Sequence, residues 1–128
     1  MQPLDNNRNI AIIAEALYLA NLLILPGVAF LILARLFVKH KDKLSELGKS
    51  HLIQTFYISL IGGALIIVII AALLLAGGFN SAYIWMWVIL YFTLIHSTLV
   101  VFGALGLAKA MSSKPWQFPI IGRYLPKG

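Results

Sequence analysis

Four side chains of this chain have the chemistry to act in apolar surroundings: Glu15, His40, His51 and His96. Ionisable groups inside long oily stretches are first suspects for proton transfer or ligand binding. Glu15 and His96 suggest a proton pathway, but Glu15 is expected near the outer interface beside Arg8. By helical rise it lies about 9 Å from the level of His96, and nothing acidic bridges the gap. Two histidines on facing helices suggest haem ligation. His51, however, stands at a helix boundary and His96 near mid-span, so one iron does not bridge them. His40 and His51 share a boundary without a third ligand at metal spacing. No nucleophile, base and orienting group occur together. The residues therefore predict no enzyme, no cofactor and no metal site.

The setting of these residues decides how they are read. Of 128 residues 61% are hydrophobic and 11% charged, with a mean hydropathy of +0.92. A soluble domain needs roughly 25% charged residues to cover its surface, so this composition predicts a bilayer as solvent. With no cysteine there is no disulfide, thiolate metal site or lipidated N-terminal cysteine, and the redox compartment is not readable. The opening "MQPLDNNRNI" has no basic run, which argues against a cleaved signal peptide. The net charge of +6 accompanies no nucleic-acid-binding motif, and a nucleic-acid partner is not expected.

The hydropathy pattern predicts an all-α membrane protein, one integral domain over residues 1–128. Its three transmembrane helices are expected at about 10–37, 52–76 and 83–108, followed by a non-helical tail at 109–128. The first span is about 42 Å long against a hydrocarbon core of about 30 Å. Pro26, which lacks a donor and frees the carbonyl of Leu22, is expected to bend it. Arg35, Lys39, Lys41, Lys43 and Lys49 cluster in one loop, and Lys109, Lys114, Arg123 and Lys127 near the end. The positive-inside rule then gives a bacterial inner-membrane protein with its N-terminus outside and its loop and tail cytoplasmic. The loop 39–51 reads as a short amphipathic helix with Leu44 and Leu47 facing down and its lysines towards lipid headgroups. Its lysines either bind anionic lipid headgroups or partners, or simply set orientation.

Helices in lipid associate through small residues and a few polar contacts. Thr55, Ser59 and Gly63 recur every four residues on the second span. Gly103 and Gly106 share a face with His96, Leu99 and Ala110 on the third. These stripes are expected to pack against each other. His96 lies 13 residues before Lys109 and Asn21 lies 14 before Arg35, depths of about 20 and 21 Å. An intramembrane hydrogen bond between Asn21 and His96, direct or through water, is expected near the carbonyl freed by Pro26.

Two stretches together, "GKSHLIQTFYISL" (48–60) and "GLAKAMSSKPWQFPIIGR" (106–123), resemble a group of small bacterial membrane proteins of unknown function. That group is related to the Tic-type component of the chloroplast inner-envelope translocon. The resemblance spans roughly residues 8 to 124. A helix-opening histidine followed by glutamine and aromatics falls here on His51, Gln54, Thr55, Phe56 and Tyr57. Small residues, a polar turn, an aromatic–proline step and a basic residue fall on Ala108, Lys109, Ala110, Phe118–Pro119 and Arg123. The resemblance implies a membrane protein with no established enzyme activity and, through its relatives, a link to protein translocation. The group often has an additional hydrophobic element beyond the three spans seen here.

The tail combines helix-breaking Pro115 and Pro119 with Trp116, Phe118, Tyr124 and basic residues. It is expected to fold back over His51 and the basic loop, as an interfacial anchor or as a docking strip for a partner. The function that follows is a non-catalytic accessory or assembly subunit of a larger membrane complex, packing against other integral membrane subunits. A transport or protein-translocation component formed by oligomerisation is the alternative, and a proton- or quinone-linked subunit of a respiratory complex the weaker one.

Overall fold

The computed structural model describes residues 3–40, 42–119 and 122–125, with side chains from Asn7 onward. Lys41 and Lys127 of the two basic groups lie outside the described residues. The fold is all-α, and no strand occurs among the described residues. Four helices follow one another: α1 (Pro3–Leu23), α2 (Val28–His40), α3 (Glu46–Gly77) and α4 (Ala82–Met111). A 3-10 turn, Gly122–Tyr124, interrupts the tail that was expected to be non-helical throughout. Among the described residues, only α3 and α4 are long and apolar enough to cross a membrane.

The expected first span is two helices folded against each other. Pro26 cannot donate a backbone hydrogen bond, and Gly27 adopts a left-handed φ of 86°, a conformation that costs glycine little. Asn21 Oδ1 accepts from Gly27 N at 2.8 Å and Leu25 N turns back to Ala20 O at 2.8 Å, closing the reversal. The chain therefore ascends in α1, reverses over 24–27 and descends in α2. Ile10 and Ala14 of α1 then meet Leu33 and Phe37 of α2 in one core with Leu44, Leu52 and Ile53. Phe37 stacks on Phe56 with ring centroids 4.1 Å apart, tying α2 to α3.

This reversal corrects the predicted topology. Asn7 stands at the start of α3, where its Oδ1 accepts from Ser45 N at 2.9 Å, Ser45 Oγ at 2.8 Å and Gly48 N at 3.2 Å. It serves as the N-cap that Ser45's own side chain does not provide. Arg8 donates from Nε and Nη2 to Met111 O, both at 3.1 Å, covering an orphan carbonyl at the end of α4. The start of α1, the start of α3 and the end of α4 thus share one end of the molecule, the basic end. An N-terminal segment opposite to the loop and tail is excluded by these contacts. Arg8 is engaged with α4, so it is not the partner of Glu15.

Helix α3 begins at Glu46, earlier than expected, so the basic loop shortens to a few residues and no separate amphipathic helix forms there. At the far end Gly78, with φ 84°, turns the chain towards α4. Ser81 Oγ accepts from Ile84 N at 3.3 Å as the N-cap of α4. Helix α4 closes with paired bonds, Lys114 N to Lys109 O at 2.8 Å and Ser113 N to Ala110 O at 3.1 Å. This is the Schellman arrangement, with Ser113 at φ 56° where glycine is usual. It aims the tail back across the basic end.

The glycines of the two stripes do not meet each other. On α4, Gly103 and Gly106 receive α1: a methyl at Gly103 would stand 2.5 Å from Tyr18 Cε1, and one at Gly106 2.5 Å from Glu15 Oε1. On α3 the close approach to α4 is at Gly62, whose added methyl would be 2.9 Å from Leu99 Cδ1, whereas Gly63 faces open space. Thr55 turns its hydroxyl to its own helix, donating to His51 O at 2.7 Å. The hairpin occupies the groove that the stripes were expected to close.

Candidate functional site

Little more than one turn of α3 meets the tail. Ser50, His51 and Gln54 lie on one helix face because positions three and four apart are neighbours there. The tail opposite them is extended, with alternate backbone groups at Lys114, Trp116 and Phe118 turned towards α3. His51 Nε2 donates to Lys114 O at 2.7 Å. Ser50 Oγ accepts from Trp116 N at 3.0 Å, and Gln54 Oε1 accepts from Phe118 N at 2.9 Å. Gln54 Nε2 then donates to Gly122 O at 3.1 Å. Backbone groups that left helix α4 without partners recover them from α3 side chains, as buried peptide groups require.

Glu15 completes the cluster from α1. Its Oε2 lies 2.6 Å from His51 Nδ1, with both side chains almost wholly buried, 1% and 0% exposed. A carbonyl can only accept, so the bond to Lys114 O fixes a proton on His51 Nε2. One further proton is shared between Nδ1 and the carboxyl, either as an imidazolium–carboxylate pair or as a neutral ring facing a carboxylic acid. Gly106 supplies the space for Glu15, and Tyr18, one turn on, donates to Leu99 O at 2.9 Å. α1, α3, α4 and the tail are all tied at this point.

The His51–Glu15 couple has the residues of an acid–base pair but is closed off from solvent. Both ring nitrogens of His51 are engaged, and the ring has no exposed surface. Phe118 and Leu125 of the tail are buried in a core with Tyr18, Ile58 and Leu99. Its chemical capacity is to hold the tail in one place.

Sequence reasoning singled out His51 and Gln54 but not Glu15 as their partner, because reading the first span through Pro26 put Glu15 at the opposite end. Of the tail residues, Phe118 is buried and Trp116 half-buried, whereas Arg123 and Tyr124 are exposed. The Arg123 guanidinium lies over the Tyr124 ring, 4.9 Å from its centroid. The tail is thus one half seated core and one half outward surface.

Asn21 and His96 come to the same region without bonding each other. His96 Nε2 donates to Leu22 O at 2.9 Å, the carbonyl that Pro26 leaves free, while Asn21 holds Gly27. The His96 ring stacks on Phe92 at 5.0 Å. Ser59 Oγ is buried without a hydrogen-bond partner. Among the described residues no three His, Cys, Asp or Glu side chains group as metal ligands. No protein-family model matches this chain, and neither a curated protein nor a solved structure matches it.

Proposed function

We propose that this chain is a non-catalytic, multi-pass membrane protein that works as an accessory subunit, packing against other integral membrane proteins. One observation carries the reading: the buried His51–Glu15 pair is wholly spent on seating the tail, which leaves Arg123 and Tyr124 on a fixed outward surface. Aromatic and arginine side chains are favoured at partner interfaces, and a preordered strip loses less entropy on docking than a free one.

In this reading α3 and α4 span the inner membrane, and the α1–α2 hairpin enters from the basic end and returns to it. Backbone that breaks a helix at membrane depth is tolerated where protein covers it or where it lines a cavity, and His96 and Asn21 satisfy part of the break. The basic end, with Arg8, Lys49, Lys109, Lys114 and Arg123, faces the cytoplasm and its anionic headgroups. Beyond the hairpin, α3 and α4 carry exposed Ile67, Val68, Leu75, Ile89 and Leu94, apolar surface suited to lipid or to partner helices. The resemblance to the Tic-type group supports a membrane-subunit role, since the two stretches that carry it meet through His51, Gln54 and Phe118.

The test is extraction at native abundance in a mild detergent, with co-migrating proteins identified by mass spectrometry. One stoichiometric membrane partner is expected, and the double substitution Arg123→Ala/Tyr124→Ala should release it while the chain stays folded. Migration as a homo-oligomer without a partner overturns the accessory role and favours a pathway formed by oligomerisation.

A further inference from the structure

Beneath the hairpin turn lies a cleft of about 480 Å³, walled by Tyr18, Asn21, Phe30, Gly63, Phe92 and His96 among others. Its volume is that of small-molecule sites. Leu60 and Ile67 stand on its lining and are exposed, so the cleft opens on the apolar flank of the molecule. Among the described residues no charged side chain lines it.

The polar atoms of the cleft are unevenly satisfied. His96 Nε2 donates to Leu22 O, so that nitrogen carries the proton. Nδ1 of the neutral ring is then an acceptor, and it has no partner among the described residues. Asn21 spends Oδ1 on Gly27 N, which leaves its two amide protons as donors without a partner among the described residues. The Asn21 amide as donor and His96 Nδ1 as acceptor remain, with the buried Ser59 Oγ unpaired beside them, in an otherwise apolar and aromatic space. A hydroxyl is the simple neutral group that accepts from the amide and donates to the ring nitrogen.

Depth limits the occupant further. His96 is 13 residues from Lys109, about 20 Å from the basic end by helical rise. A phosphate or ammonium headgroup at that depth would be buried without a counter-charge, which is prohibitively costly. An uncharged head on an apolar chain meets no such cost.

We propose that this cleft binds an uncharged lipid alcohol, with its hydroxyl between Asn21 and His96 and its chain leaving past Leu60 and Ile67. The site rests on the membrane placement proposed above and not on a partner subunit.

The experiment is thermal unfolding of the purified full chain in detergent, titrated with geranylgeraniol and with dioleoylglycerol. Geranylgeranyl methyl ether, which cannot donate, and squalane, which has no polar head, are the matched controls. A saturable rise in melting temperature is expected for at least one alcohol, with affinity about fivefold or more above the ether, as loss of a buried hydrogen bond implies. Which alcohol acts separates an isoprenoid from an acyl source. Gly63→Leu fills the cleft where an added Cβ meets no atom within 4 Å, so it should abolish the response while the unliganded melting temperature holds or rises. Equal responses to alcohol and squalane, a response that survives Gly63→Leu, or no response to either alcohol would each overturn the site. Neither result depends on whether a subunit partner co-migrates.

Discussion

Replacing His51 by leucine is expected to cost about 3 kcal/mol of stability, because it leaves a buried carboxyl and a buried carbonyl without their common partner. Glu15 Oε2 and Lys114 O lie 2.6 and 2.7 Å from the two ring nitrogens, and leucine reaches neither. The same variant should free the tail, so that trypsin cleaves at Lys109 and Arg123 faster than in the parent protein. The decisive comparison is the double variant Glu15→Leu/His51→Leu. It removes both polar partners, leaves only the tail carbonyl unpaired, and should cost about 1 kcal/mol, less than His51→Leu alone. Strictly additive losses in thermal unfolding would show that the two residues act independently, and the keystone role assigned to the pair would fail.

The second large effect concerns the glycines of α4. Gly103→Ala should destabilise by about 1–3 kcal/mol, the usual range for overpacking, because the new methyl would meet the Tyr18 ring at 2.5 Å. That ring cannot swing aside while its hydroxyl donates to Leu99 O at 2.9 Å. Gly106→Val should be worse, because Glu15 is held in place by His51. Gly63→Ala is the contrasting case. It has open space around it and exchanges a poor helix former for the best, so a gain of up to about 1 kcal/mol is expected in thermal unfolding. A loss at Gly63 with no loss at Gly103 would restore the stripe-on-stripe contact expected from sequence.

These contrasts show where the sequence was legible. Apolar length located α3 and α4 to within a few residues, except that α3 starts at Glu46 instead of near Leu52. Helical spacing also picked out the faces bearing Gly103 and Gly106. What it could not supply was the element that packs on them, since any small-residue stripe accepts any helix. The decisive local signal was the dipeptide Pro26–Gly27. Proline alone bends an apolar helix, but proline followed by a residue free to take a positive φ is a turn. Reading it as a bend moved Glu15 to the wrong end of the molecule and made its carboxyl look like a surface group.

The tail illustrates the converse. Its prolines and aromatics correctly predicted a segment that leaves the helix and folds back, and His51 was placed beneath it. Its hydrogen bonds were invisible because they join side chains on α3 to backbone groups more than 60 residues away. No periodicity records such a match. It becomes visible only when the Schellman close of α4 sets the direction of the chain.

The central claim is that the first apolar stretch is a hairpin returning to the basic end while α3 and α4 cross the membrane. The chain has no native cysteine, so single cysteines can be introduced at Asn9, Asn80 and Ser112, all exposed, and labelled in sealed inverted and right-side-out vesicles with an impermeant maleimide. Asn9→Cys and Ser112→Cys are predicted to label from the cytoplasmic face and Asn80→Cys from the opposite face. Labelling of Asn9→Cys together with Asn80→Cys would mean that the first stretch crosses the bilayer, and would contradict the hairpin.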